Sequence, residues 1–107
     1  MPRHEFGIVP QKPKAHKRYD QYAPDKYGCI SADDAWIREI AGELSNAAVY
    51  WHTLACPANA YCGITLILPT AMDDMRMAVD HHDNLQNLKT LFQEAKERGN
   101  FVIHFGI

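Results

Sequence analysis

Residues 47–68 read AAVYWHTLACPANAYCGITLIL. Two blocks rich in aromatic and β-branched side chains, 47–55 and 60–68, flank Cys56-Pro57-Ala58-Asn59, where proline and asparagine supply turn chemistry. This is a strand, a turn and a returning strand. Upstream, the short β-leaning run 26–30 (KYGCI) leads into Ser31-Ala32-Asp33-Asp34. There Ser31 is placed to cap a helix, and the acids sit in its positive first turn. Trp36, Ile37, Ile40 and Leu44 follow at helical spacing, and Ser45-Asn46 ends the run. Downstream, Pro69-Thr70 opens a helix with Thr70 and Asp73 spaced as a capping box, and Met72, Met75, Ala78 and Val79 form its apolar stripe. A break at His82-Asp83-Asn84 separates it from a helix presenting Leu85, Leu88, Leu91, Phe92 and Ala95 and stopped by Gly99-Asn100. The alternating run 101–105 (FVIHF) is a last strand.

Read in order, these elements are β-α-β-β-α(α)-β, the split βαβ order of a ferredoxin-like α+β sandwich. That reading predicts an antiparallel sheet in the order 4-1-3-2 with its helices on one face. It divides the chain into an extended N-terminal arm, 1–25, and a single α+β domain, 26–107. The other arrangement is a less regular α+β sheet to which residues 6–9 add an edge strand; Pro10 and Pro13 stop any strand there.

The length, 107 residues, suits one domain that buries roughly 65% of its extended surface. Hydrophobic content of 47% with 22% charged residues is that of a globular chain and not of a disordered one. No apolar run reaches the roughly 18 residues of a membrane span, and no apolar segment follows the N-terminus as in a secretory signal. The expectation is a cytoplasmic protein with reduced thiols. Three cysteines, Cys29, Cys56 and Cys62, are an odd number, and the Cys56–Cys62 spacing does not suit zinc. The net charge of −2 conceals an asymmetry: residues 1–19 carry five basic and one acidic side chain, a net +4, and the remainder carries −6. The arm reads as basic and solvated, lying back on an acidic body. That body repels phosphate backbones, so nucleic acid is disfavoured.

Alternation assigns Tyr50, His52, Leu54, Tyr61, Thr65, Ile67, Val102 and His104 to the sheet face without helices, which is too apolar to meet water bare. Two functions of different class follow. The first is a homodimeric partner-binding or regulatory module that buries this face, or covers it with residues 1–25. The second is a small-ligand-binding protein or cofactor-free enzyme that uses the face as a site. For the second, the candidate residues are His52 and His104, whose imidazoles titrate near neutrality, with Tyr50 and Tyr61 to orient a small molecule. Tyr19 and Tyr22 are placed to anchor the arm, so that Arg18 points at an anionic ligand. No cofactor motif and no metal ligand set is present: His81-His82-Asp83 reads as a solvated helix end. Cys29, just ahead of a helix, is a weaker candidate nucleophile with its thiol activated by the helix dipole.

Overall fold

The computed structural model describes residues 3–14, 18–19, 21–47, 49–51 and 63–106. They form an α+β domain in which five antiparallel strands carry three helical stretches on one face. The strands are β1 (Arg3–Ile8), β2 (Ile30–Asp33), β3 (Val49–Trp51), β4 (Ile64–Ile67) and β5 (Val102–Phe105), and their order across the sheet is β2-β1-β5-β4-β3. The helices are α1 (Asp34–Ile37) and α2 (Ala41–Asn46), joined by a 3-10 turn at Arg38–Ile40, then α3 (Met72–Val79) and α4 (Gln86–Arg98).

The α+β class stands, but the strand order differs from the ferredoxin-like 4-1-3-2. The first difference lies in the N-terminal stretch. Residues 3–8 are an interior strand, hydrogen-bonded to β2 on one side and to β5 on the other, and not an edge addition. Phe6 is fully buried and pairs both Ile30 and His104 in register. In addition β5 pairs directly with β4, the neighbour that the ferredoxin-like order gives to β2, so β2 is left at the sheet edge beside β1. Lys26 and Tyr27, expected to begin a strand, instead complete a 3-10 turn, Pro24–Tyr27, that ends at Gly28 with φ 56°.

The helices follow their sequence signals more closely. Ile37, Ile40 and Leu44 are fully buried, as are Met72, Met75 and Val79 on α3 and Leu88, Phe92 and Ala95 on α4 to within 1%. Trp36 departs from the expected stripe and lies at its exposed margin. Ser31 is in β2, and Asp33 occupies the position before α1 instead. At the end of α4, Gly99 takes φ 68°, where its N–H donates to Lys96 O and that of Asn100 donates to Ala95 O. This paired closure of the last carbonyls needs the left-handed backbone that glycine adopts without strain.

Both faces of the sheet are covered. Val49, Ile67, Val102 and Phe6 pack under the helices. Leu66, Ile103 and Phe105 face away, against Val9 and Tyr19, with Tyr27, Cys29, Tyr50 and Ile64 around them. The side-chain phase of β4 and β5 is therefore opposite to expectation: Thr65, Ile67, Val102 and His104 lie on the helix side. Tyr50 keeps its expected place on the other side. Among the described residues no helix is long and apolar enough to cross a membrane.

Candidate functional site

Two arrangements of polar side chains stand out. The first is buried under the helices and starts from β1. His4 is two residues from Phe6 and so shares its side of the strand. Its Nδ1 lies 2.8 Å from Nε2 of His104 on β5, and its Nε2 lies 2.8 Å from Oδ1 of Asp34 in the first turn of α1. Arg38 closes the chain from one turn later, with Nε 2.7 Å from Asp34 Oδ2. An ionised carboxylate only accepts, so His4 Nε2–H donates to Asp34. The contact between the two imidazoles then holds one hydrogen, donated by one ring to the lone pair of the other. Phe6 stacks on His104 with ring centres 4.2 Å apart and planes 2° from parallel. Thr65 pairs His104 from β4, and its buried hydroxyl has no hydrogen-bond partner among the described residues. His4 and His104 have no exposed surface, and Asp34 has 4%. A proton donor or acceptor must come within hydrogen-bond reach of its substrate. At zero exposure these rings reach one another and not a solute. Chemically, the network ties the first strand, the last strand and the first helix together.

The second arrangement lies on the opposite face. Pro10 cannot donate to a ladder and ends β1, one residue after Val9 N–H donates to Phe101 O. The described residues between 9 and 27 then form a strap over the sheet. Tyr19 is buried against Leu66, Ile103 and Phe105. Tyr22 sets its ring edge-on to Phe105, at 5.2 Å between centres, and its hydroxyl donates to Glu5. Within the strap is a cavity of about 320 Å³ lined by Val9, Pro10, Gln11, Lys12, Lys14, Tyr19, Lys26 and Tyr27. Lys26 Nζ stands 5.6 Å from the centre of the Tyr27 ring, within cation–π range. Burial raises the pKa of both Tyr19 and Tyr27, so both phenols stay protonated donors at neutral pH.

The strap bears on Gly7, whose missing side chain is what lets it approach. A Cβ there would lie 2.7 Å from both Cys29 Sγ and Tyr27 Cβ and 2.9 Å from the Tyr27 carbonyl oxygen. Backbone and Cβ atoms cannot swing away. Burial, with Glu5 and Asp25 nearby, pushes the Cys29 thiol up to about 12. This corrects the expectation of a dipole-activated nucleophile, because desolvation of the thiolate outweighs a short helix that starts five residues later. Gly7→Ala is therefore expected to cost about 2 kcal/mol. It should also turn slow alkylation of Cys29 at pH 8 into fast alkylation by lifting the strap, as read by peptide-mapped labelling. Equal labelling rates in the two proteins would refute this account.

Of the residues singled out from sequence, His104 sits in the buried network and Tyr50 beside the strap-side cluster. Arg18 is exposed on the strap. His52 and Tyr61 lie outside the described residues. The structure does not bring Tyr50 and His104 together, since they face opposite sides of the sheet. His82 pairs with Glu39 at 3.0 Å, tying the end of α3 to the 3-10 turn after α1. The sequence reading missed His4, Asp34 and the sharing of one cavity by Lys12, Lys14 and Lys26. The available signal was the alternation of His4, Phe6 and Ile8 in a strand-like run, which places a histidine on a core face. The chain was compared with family models, curated proteins and solved structures, and none of the three comparisons found a match.

Proposed function

We propose that this domain binds a small anionic molecule in the cavity of the strap. One observation carries the reading. Arg3, Arg38, Arg76, Lys89, Lys96 and Arg98 each have a carboxylate within 4.0 Å. Among the described residues, Lys12, Lys14 and Lys26 have none, and these three line one cavity. On a chain whose remainder is net acidic, lysines that line one cavity without a carboxylate beside them leave their charge for a solute. The acidic body repels anions elsewhere and favours them here. The strap also supports this reading over dimerisation through the same face, because Val9, Tyr19 and Tyr27 already cover the apolar patch that a partner would bury.

Titration of the whole chain with pyrophosphate by calorimetry tests it. Binding is expected to weaken with added salt, as ammonium–anion contacts are screened. The double variant Lys12→Ala, Lys14→Ala should lose at least about tenfold in affinity, one charge-assisted contact being worth about 1.5–3 kcal/mol. Affinity that survives both lysine changes would remove the proposal.

A further inference from the structure

We infer that the contact between His4 and His104 is an acid-sensitive lock on the seam between the first and last strands, which opens when both imidazoles are protonated and frees the strap with it. Two neutral imidazoles hold two hydrogens. One is on His4 Nε2 and is donated to Asp34; the other lies in the 2.8 Å contact between His4 Nδ1 and His104 Nε2. A third goes to His104 Nδ1, the ring nitrogen outside these two bonds. A fourth would set two N–H groups head to head across 2.8 Å, so the folded pair stops at three. In an unfolded chain in mild acid each ring takes its full complement, four in all.

Charge sets the same limit. Among the described residues, the charged groups facing the pair are Asp34 on α1 and Arg38 one turn later, and Arg38 already takes the second oxygen of Asp34. β2 pairs Ala32 with His4, β4 pairs Thr65 with His104, and Phe6, backed by Phe92 of α4, covers the His104 ring. Two imidazoliums would therefore share one occupied carboxylate in a site where neither ring has exposed surface. The strap is tied across the same seam from the other face. Glu5 and Phe105, each next in sequence to one of the histidines, pair in register between β1 and β5. Tyr22 bonds the first and packs edge-on against the second. Once β1 and β5 part, Tyr22 cannot keep both. Below about pH 6.5, where a free imidazole gains its second hydrogen, the unfolded pair binds one proton more than the folded pair, and stability falls as pH falls.

The experiment compares urea unfolding of the full chain and of His104→Gln between about pH 7 and pH 5.5. The glutamine amide can donate to His4 Nδ1 or accept from it, and it does not titrate. Comparison at each pH cancels the other histidines, including His82 with its Glu39 partner. Over that interval the unfolding constant of the unaltered chain is expected to rise about tenfold more than that of the variant, the effect of one proton. Peptide-mapped reaction of Cys29, packed in the strap-side cluster, with a pyridyl disulfide should show the same divergence, since that reagent attacks thiols in mild acid. Should His104→Gln not fold, nitrogen NMR of the unaltered chain carries the test: while the protein is folded at pH 5.5, one of the two facing nitrogens should hold no hydrogen. Equal pH trends in the two proteins, or four protonated ring nitrogens in the folded chain, would overturn the lock. Divergent unfolding with no divergence at Cys29 would overturn the release of the strap.

Discussion

Asp34→Ala should destabilise the domain by about 3 kcal/mol, the cost of removing one partner from a buried hydrogen-bonded ion network. At 107 residues that corresponds to a fall in Tm of about 15 °C. The carboxylate receives His4 through one oxygen and Arg38 through the other. Without it the His4 N–H is left in a site with no exposed surface. Asp34→Asn keeps an acceptor oxygen for His4 and loses only the charge, so its effect should be about half as large. A cycle with His104→Ala separates this account from plain loss of packing. Asp34 and His104 do not bond each other directly but share His4, so the two costs should not add. Additivity within about 0.3 kcal/mol would show that the three side chains do not act as one unit.

Phe6→Ala should cost about 4 kcal/mol, in the range for an aromatic removed from a closed core. Phe6 is fully buried, stacks on His104 and meets the edge of Phe92 at 5.8 Å between centres. It thus joins the network to the helix that covers it. Phe6→Leu refills most of the volume and removes the stack, so the difference between the two variants isolates cavity from ring contact. Urea unfolding measures both, with the slope expected to stay constant. A Phe6→Ala cost below about 1 kcal/mol would mean that the strand is not the interior element described here.

What the sequence disclosed, and what it hid, has a physical pattern. Leu85, Leu88, Leu91, Phe92 and Ala95 were legible because a polar face separates them at a helical period, and one face is buried. The sides of β4 and β5 were not. In ITLIL and FVIHF the sets holding the polar Thr65 and His104 are buried under the helices and the wholly apolar sets face the strap, so both sides are covered. Alternation fixes a phase only where one face meets water. β1 was hidden for a different reason. Prolines and lysines crowd residues 10–14, so the segment before them reads as part of a solvated arm, although those prolines only end the strand. For the buried network the alternation of His4, Phe6 and Ile8 could mark a histidine on a core face but not name its partners, since His4 bonds residues 30 and 100 positions away. The basic run from Lys12 was visible as charge, while its sharing of a cavity with Lys26 depends on the fold of the strap.

The position of β1 also has a consequence for how the chain reaches this state during synthesis. β1 and β2 are made early, but the strand that closes the other side of β1 is the last one of the sheet. At about 5–20 residues per second, the ribosome needs roughly 5–20 s to deliver residue 104 after residue 4. Through that interval a nascent β1–β2 hairpin offers one open row of amides and carbonyls to any neighbouring strand. Newly made chains on crowded polysomes should therefore be more prone to mispairing than full-length chains refolding from denaturant, which hold β5 in the same molecule from the start.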